Sequence, residues 1–288
     1  MALGGDLYKV FQAKANAITG TINEKALFSA LNESIEALAS LSAVNSEVIH
    51  GNKSLVKFSE TFSAPFFYSK DSGKTVKCEL ADLLIISVND IEMRICCLQN
   101  KYEKGITAGM TVADSYYADM RQYYLLNKRP EYIINGTPST LLSDAICPSV
   151  GAYGVFYKNG PDYDMNYHSA YVLQELTPGA TSRRRKVELK AGTPQNIRRP
   201  NRGNYYDECQ FAKGIIEFGN EVERLHIGTP FDIISGLRAL GDPALIDAVI
   251  RVAELPDSYR QEVYSADSTS ENVGVSYRCA WVIRGDKL

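Results

Sequence analysis

The sequence has 288 residues, of which 45% are hydrophobic and 23% are charged, with a net charge of -3. This balance is ordinary for a globular protein and predicts a substantial buried core, in one large domain or two modest ones. The longest apolar run, near residues 80–88, is much shorter than the roughly 20 residues of a membrane helix, and the N-terminus lacks the charged-then-apolar order of a secretory signal. We therefore expect no membrane span and a cytoplasmic protein.

The first predicted element is a helix from about Ile22 to Leu41. Leucines recur at helical spacing along this segment, which indicates that one face is buried. Thr21, followed three residues later by Glu24, forms the pattern of a capping box. The helix is therefore expected to start close to Thr21.

Strand-like apolar runs follow, at residues 55–58, 64–68, 76–88 and 93–101. The next predicted element is a helix that contains Tyr117, Met120 and Tyr124. Helix, strands and helix in this order predict an α/β fold.

The second half of the chain is predicted to contain strands at residues 151–157 and 170–176. A helical region follows from Phe231 to Glu254, with a break near Gly241, and a last strand covers residues 275–283. A second domain could begin after about residue 135, but neither a linker nor a repeat demarcates it.

A basic segment lies between Arg183 and Arg202, where eight basic residues stand against one acidic residue. Gly192, Pro194 and Pro200 interrupt it, which favours a loop or an edge strand over a helix. A solvated loop and a phosphate-contacting surface explain such a segment equally well. The residues that we predict to contact nucleic acid are Arg183, Arg184, Arg185, Lys186, Arg198, Arg199 and Arg202.

The apolar stretch from residue 78 to residue 102 contains polar residues that a buried hairpin does not need. If the turn is centred just after Asp90, the numbers of paired residues sum to 181, which makes Asp82 and Gln99 direct cross-strand neighbours. Opposed residues have Cβ atoms about 4.5–5.5 Å apart, and residues two apart on a strand share a face. Asp82, Gln99 and Lys101 are therefore predicted to converge on one side of the hairpin.

A carboxylate and an amide oxygen at this separation can bind a hard divalent cation, Mg²⁺ or Mn²⁺. Mg²⁺ keeps several waters when it binds to a protein, and Lys101 would lie beside one of them. Polar clusters without a structural explanation in apolar surroundings often mark functional sites. We therefore predict a metal site at Asp82 and Gln99.

The arrangement resembles the PD-(D/E)XK nuclease superfamily, in the Q-x-K variant of restriction-type (Mrr-like) enzymes. The matching residues are Asp82 for the isolated aspartate, Gln99 and Lys101 for the Q-x-K motif, and Glu24 for the acidic residue of the preceding helix. The resemblance covers about residues 20–135. This sequence departs from the family pattern where Ala81 replaces the usual proline and where neutral Gln99 replaces the commoner acid.

The resemblance implies a restriction-endonuclease-like core, with a mixed central sheet flanked by helices, in residues 1–135. Residues 136–288 would form a C-terminal α+β extension that contains the basic segment, either separate or packed on the core as one domain. The implied activity is metal-dependent hydrolysis of DNA phosphodiester bonds, although the residues alone leave RNA open as the substrate. The family further implies a bacterial restriction or antiphage role beside a separate ATPase or helicase subunit, and an oligomer that cuts both strands.

The resemblance also implies a role for each site residue. Asp82 and the Gln99 amide oxygen are expected to hold the metal, with Glu24 acting through water. Lys101 is expected to orient or deprotonate the attacking water.

Simpler interpretations of the same residues remain open. Glu24 could serve only in a capping box, and Asp82 could form a structural ion pair with Lys101. Glu79 has the opposite strand parity to Asp82 and should face away unless a bulge intervenes. The neutral Gln99 also favours a different class of protein, a nuclease-like fold that binds DNA or a partner protein without cleaving.

Overall fold

The structure is a computed structural model that describes residues 3–40, 45–51, 54–61, 64–179, 181–201, 204–265 and 275–285. The helices in these ranges are α1 (Leu3–Asn16), α2 (Glu24–Ser40), α3 (Met120–Lys128), α4 (Ile215–Glu223), α5 (Ile233–Leu240), α6 (Pro243–Ala253) and α7 (Ser258–Ser265). None of these helices is long and apolar enough to cross a membrane.

The strands in the same ranges are β1 (Ser46–His50), β2 (Leu55–Phe58), β3 (Val76–Glu79), β4 (Ala81–Val88), β5 (Glu92–Tyr102), β6 (Ser115–Asp119), β7 (Tyr132–Ile134), β8 (Thr137–Ser139), β9 (Gly151–Asn159), β10 (Asp162–Ser169), β11 (Leu173–Glu175), β12 (Arg184–Leu189), β13 (Asn196–Asn201), β14 (Asn204–Cys209), β15 (Phe211–Ala212), β16 (Thr229–Asp232) and β17 (Tyr277–Arg284). The protein therefore has a mixed α/β fold.

A mixed central sheet organises the molecule. Its strand order is β1-β17-β4-β5-β9-β10-β15, and β16 also pairs with β5. The β4–β5 pair is antiparallel, whereas β17 runs parallel to β4 and β9 runs parallel to β5. Strands from both sides of residue 135 share this central sheet, so it is not confined to residues 1–135.

Helices cover both faces of the central sheet, as predicted. The helices α1, α2 and α4 pack on one face, and α3, α5 and α6 pack on the other. Every residue of β4 is buried. A strand that is covered on both faces needs a continuous apolar run, which explains the composition of this segment. A polar residue in β4 is consequently exceptional.

The helix α2 lies within the predicted range, although Leu41 falls outside the described residues. The predicted capping box is wrong, because the helix begins at Glu24 and leaves Asn23 at the N-cap. The Asn23 side-chain oxygen accepts a hydrogen bond from the Ala26 backbone N–H at 3.0 Å. Capping therefore does not explain the presence of Glu24.

Other predicted elements also differ in the structure. The predicted strand at residues 64–68 is wrong: in this segment only Ala64 forms a β-bridge, with Thr61. Tyr117 lies in β6 rather than in a helix, and α3 begins only at Met120. The reason is the preceding Asp119, whose side chain accepts a hydrogen bond from the Arg121 N–H at 2.9 Å and caps the helix.

The buried His168 on β10 predicts sensitivity of the fold to acid. Its Nε2 lies 3.0 Å from the Tyr116 hydroxyl, and burial lowers its pKa to about 3. Below pH 6.5 the unfolded chain takes up a proton that the folded protein does not, so stability falls as the pH drops from 6.5 towards 3. The loss is roughly 1.4 kcal/mol per pH unit from this residue.

We expect His168→Gln to reduce the loss of stability between pH 7 and pH 4.5 by about 2.5 kcal/mol. Urea unfolding at both pH values measures this difference, and His50→Gln, which removes an exposed histidine, is the control. An equal loss in wild type and His168→Gln would contradict the prediction.

Candidate active site

The hairpin β4–β5 has the predicted register. Leu83 pairs with Leu98 and Leu84 with Cys97, so the numbers of paired residues sum to 181. The next pair in this register is Asp82 with Gln99. The Asp82 Oδ2 accepts a hydrogen bond from the Asn100 backbone N–H at 2.9 Å, which ties the carboxylate to the opposite strand.

Asp82 and Gln99 are both buried, with exposed fractions of 4% and 1%. The Gln99 Nε2 donates to the Glu79 backbone oxygen at 3.4 Å. On the other side of β5, Gln99 pairs with Tyr153 of β9. The Tyr153 hydroxyl is buried and has no hydrogen-bond partner. The carboxylate and the amide are therefore buried together, where uncompensated polar atoms are costly.

Lys101 lies two residues beyond Gln99 and contacts Glu24. Its Nζ donates to the Asn100 backbone oxygen at 2.6 Å and lies 3.8 Å from the Glu24 Oε1. Burial raises the pKa of Glu24, an effect that the positive charge of Lys101 opposes and that the negative charge of Asp82 reinforces. The structure thus brings all four predicted site residues into one region.

The proposed structural ion pair between Asp82 and Lys101 is wrong, because Asp82 contacts a different cation. Its Oδ1 lies 2.9 Å from the Nε of Arg278. The Nη2 of Arg278 donates to the Glu79 carboxylate at 2.6 Å. Burial alone would lower the pKa of Arg278, but its hydrogen bond with Glu79 and the charges of Asp82, Glu79 and Glu24 raise it.

The position of Arg278 follows from the strand β17. Tyr277 pairs with Ala81 and Cys279 with Leu83, so Arg278 lies level with Asp82 on the neighbouring strand. Sequence analysis missed this residue. The available signal was an arginine between two strongly apolar segments of the last predicted strand.

Glu79 reaches the same site because the chain bends at Leu80, between β3 and β4. This break interrupts the alternation of side chains, so the expectation that Glu79 faces away from Asp82 is wrong. We use the name Asp82 cluster for five charged residues: Glu24, Glu79, Asp82, Lys101 and Arg278.

The oxygen atoms of Asp82 and Gln99 suit a hard cation. Among the described residues, no three His, Cys, Asp or Glu side chains are grouped so that they could hold a metal ion. The predicted donor set is different, since it pairs the Asp82 carboxylate with the amide oxygen of Gln99. Mg²⁺ binds to proteins through one or two carboxylates and retains waters, so this oxygen set fits its chemistry.

Part of the predicted basic segment lies beside the site. Arg184 and Lys186 of β12 flank the exposed Tyr117 ring of β6, at 5.6 and 5.5 Å from its centre. Arg183 pairs with Asp119 at 2.7 Å. Burial raises the pKa of Glu24, and Arg184 is close enough for its positive charge to oppose that rise slightly. We call Tyr117, Arg184 and Lys186 the β12 surface.

Arg185 points in the opposite direction from its neighbours on β12. It is 5% exposed, pairs with Glu175 and donates to the Phe67 backbone oxygen. The prediction that Arg185 contacts nucleic acid is therefore wrong. The reason is the alternation of side chains along a strand, which buries every second residue of β12.

Arg198 and Arg199 lie on β13, in the β13–β14 hairpin. Arg198 is exposed over the Tyr205 ring, whereas Arg199 pairs with the fully buried Glu208 and compensates its charge. Arg199 is thus a structural ion-pair partner rather than a free surface cation. The predicted contact residue Arg202 lies outside the described residues.

This hairpin contacts the start of β5, whereas Gln99 lies towards the end of that strand. The adjacent residue Tyr206 is covered by the guanidinium of Arg94, which also donates to the Asp207 backbone oxygen at 3.2 Å. Arg94 precedes Gln99 by five residues, a separation of about 17 Å along a strand. The basic segment therefore does not form one continuous surface.

Comparisons of the chain with models of known protein families, with curated proteins and with solved structures found no match.

Proposed function

We propose that this protein is a metal-dependent nuclease that hydrolyses the phosphodiester bonds of DNA. The observation that supports this function is the convergence of Asp82 and Gln99 as cross-strand neighbours, with Lys101 two residues further on β5. A carboxylate, an amide oxygen and an amine in one buried polar site suit metal-assisted hydrolysis better than a purely structural role.

We propose further that α2, β4, β5, α3 and β9 form a restriction-endonuclease-like core. The support is their order along the chain: a helix, an antiparallel hairpin, a second helix, and a strand parallel to β5. By analogy with that core, a restriction or antiphage role with a separate ATPase or helicase, in an oligomeric assembly, is part of the proposal.

In this proposal Asp82 and the Gln99 amide oxygen would hold Mg²⁺ or Mn²⁺, with Glu24 contributing through water. The metal would polarise the scissile phosphate and lower the pKa of a bound water. Lys101 orients or deprotonates the attacking water and offsets the negative charge that develops on the phosphate. The contact of its Nζ with the Asn100 backbone oxygen fixes the direction of the amine.

The experiment that tests this function is cleavage of supercoiled plasmid and of single-stranded DNA by the purified protein. We expect nicked or linear product with Mg²⁺ or Mn²⁺ and none when a chelator is present. Cleavage that continues in the chelator, or intact DNA with both metals, would contradict the proposal.

The β12 surface is proposed to contact phosphates next to the site. Removing one phosphate contact changes the slope of log affinity against log salt concentration by about 0.9 for duplex DNA. We expect Arg184→Gln to weaken DNA binding and to reduce the slope by this amount.

Arg198→Gln is a closely matched control for this prediction, because both arginines are exposed and lie over a tyrosine ring. Fluorescence anisotropy at several salt concentrations measures both quantities. Equal effects of the two substitutions would mean that the β12 surface has no special role in binding.

A second candidate function is a nuclease-like fold that binds DNA without cleaving it. The observation that favours it is the contact between Arg278 and Asp82, since a metal ligand is already neutralised by a side chain. DNA binding without cleavage, unaffected by Mg²⁺, is the result that this candidate predicts.

A further inference from the structure

The guanidinium of Arg278 lies between the carboxylates of Asp82 and Glu79, where a cation is needed to compensate their negative charge. It is within 2.9 Å of Asp82 and 2.6 Å of Glu79, on a side chain that is 34% exposed. A carboxylate as buried as Asp82 requires a positive partner, which can be either a basic side chain or a metal. Arg278 supplies this partner in the protein as it stands.

The contact between Arg278 and Asp82 differs from a well-formed structural ion pair. The Nε of Arg278 is buried and has no directed hydrogen bond, although it lies at ion-pair distance from the carboxylate. Buried arginine–carboxylate pairs that stabilise a fold are usually bidentate and fully hydrogen-bonded. The bond with Glu79, by contrast, is well directed. The contact of Arg278 with Asp82 is thus less well directed than its contact with Glu79.

The charges of the Asp82 cluster indicate what could replace this arrangement. Its ionised side chains are three carboxylates and two cations, a net charge of about -1 at neutral pH. A divalent metal alone would change the sign of this charge. A metal that arrives together with a phosphodiester, which has one negative charge, would instead bring the charge of the site to about zero, and the planar guanidinium has the geometry to bind phosphate oxygens.

We propose that Arg278 is an internal counter-ion of the metal site. When substrate binds, its guanidinium moves from Asp82 to a substrate phosphate, and Asp82 then becomes free to bind the metal. This inference rests on the proposed nuclease function and adds a regulatory step to it. Free protein has a weak metal site, because the metal must compete with Arg278 for Asp82. Metal and DNA then bind with positive coupling, and each raises the affinity of the other by the same factor.

Binding of Mn²⁺, measured by calorimetry, tests this inference without relying on activity. The measurements use the Lys101→Ala protein, in which DNA is expected to stay intact, with and without a short DNA duplex. We expect DNA to raise the Mn²⁺ affinity on the order of 10-fold in this protein. When Arg278→Gln is added, the double variant without DNA should bind Mn²⁺ about as tightly as Lys101→Ala does with DNA. Adding DNA to the double variant should then change its Mn²⁺ affinity little.

The matched control is Arg284→Gln, which removes another β17 arginine that contacts two carboxylates, those of Asp90 and Glu254. It should leave the Mn²⁺ affinity unchanged. An Mn²⁺ affinity that is measurable but is changed neither by DNA nor by Arg278→Gln would overturn the role of Arg278 and leave the nuclease proposal intact.

Failure of the underlying function would give a different result. If no variant binds Mn²⁺ with or without DNA, both the metal site and the role of Arg278 are wrong. The coupling between DNA and Mn²⁺ in the protein that retains Arg278 decides the question even if Arg278→Gln does not fold, because absent coupling overturns the inference.

Discussion

Lys101→Ala should remove cleavage while leaving the protein folded. The side chain is 16% exposed, and its ion pair with Glu24 is long, at 3.8 Å, with a partner that is 44% exposed. Such a pair contributes little to stability. In contrast, the attacking water loses the group that orients it, and loss of a general acid or base typically lowers the rate by a factor of about 100 or more.

Plasmid cleavage rates and thermal unfolding of the same preparation check both parts of this expectation. Lys104→Ala is the matched control, because Lys104 lies three residues further along the chain, is exposed and has no place in the proposed mechanism. We expect it to cleave as wild type does. A Lys101→Ala protein with the wild-type rate would rule out Lys101 as the catalytic residue.

The hairpin could be predicted from sequence because its information is local. Two apolar runs of known strand parity and a short polar turn fix the register, since a shift by one residue would expose an entire buried face. The pairing of Leu83 with Leu98 confirms that register, and with it the placement of Asp82 opposite Gln99. Asp82, Gln99 and Lys101 lie in one region for this reason, whereas Glu24 reaches it from the start of α2.

The counter-ion of Asp82 could not be predicted, because its information is not local. Arg278 comes about 200 residues later in the sequence, and only the parallel pairing of β17 with β4 brings it to the site. Glu79 was assigned to the wrong side because a single unpaired residue, Leu80, interrupts the strand. Breaks of this kind have no reliable composition signal in an apolar run.

The exposure of the arginines in the basic segment could have been predicted better from the sequence. Once it is interpreted as a strand, the period of two requires neighbouring arginines to face opposite sides. Arg184 and Arg185 do so: the first is exposed beside Tyr117, and the second is buried against Glu175. Charge density along a sequence therefore overstates the charge that a strand presents to a nucleic acid.

Gln99→Glu should convert the site into one whose stability depends on metal. The substitution keeps the reach of the side chain but places a second carboxylate directly opposite the buried Asp82, and it removes the hydrogen bond that the amide donates to the Glu79 backbone oxygen. Repulsion and the lost donor together should cost about 2–4 kcal/mol without metal. Arg278 is already shared by Asp82 and Glu79, so it offsets only part of this cost.

A divalent ion that binds the folded state stabilises it by mass action, by about 2.7 kcal/mol at 100 times its Kd. We therefore expect Mg²⁺ to raise the Tm of Gln99→Glu by roughly 5 °C. The rise should be smaller in wild type and in Gln99→Ala, which has one oxygen ligand fewer.

Gln174→Glu is the matched control, since it also places a carboxylate opposite a glutamate, Glu188, but on an exposed part of its sheet. Its Tm should change little and should not respond to Mg²⁺. Calorimetry of the four proteins with and without Mg²⁺ measures these differences. If wild type, Gln99→Ala and Gln99→Glu have the same Tm and Mg²⁺ does not change it, Gln99 does not belong to a metal site.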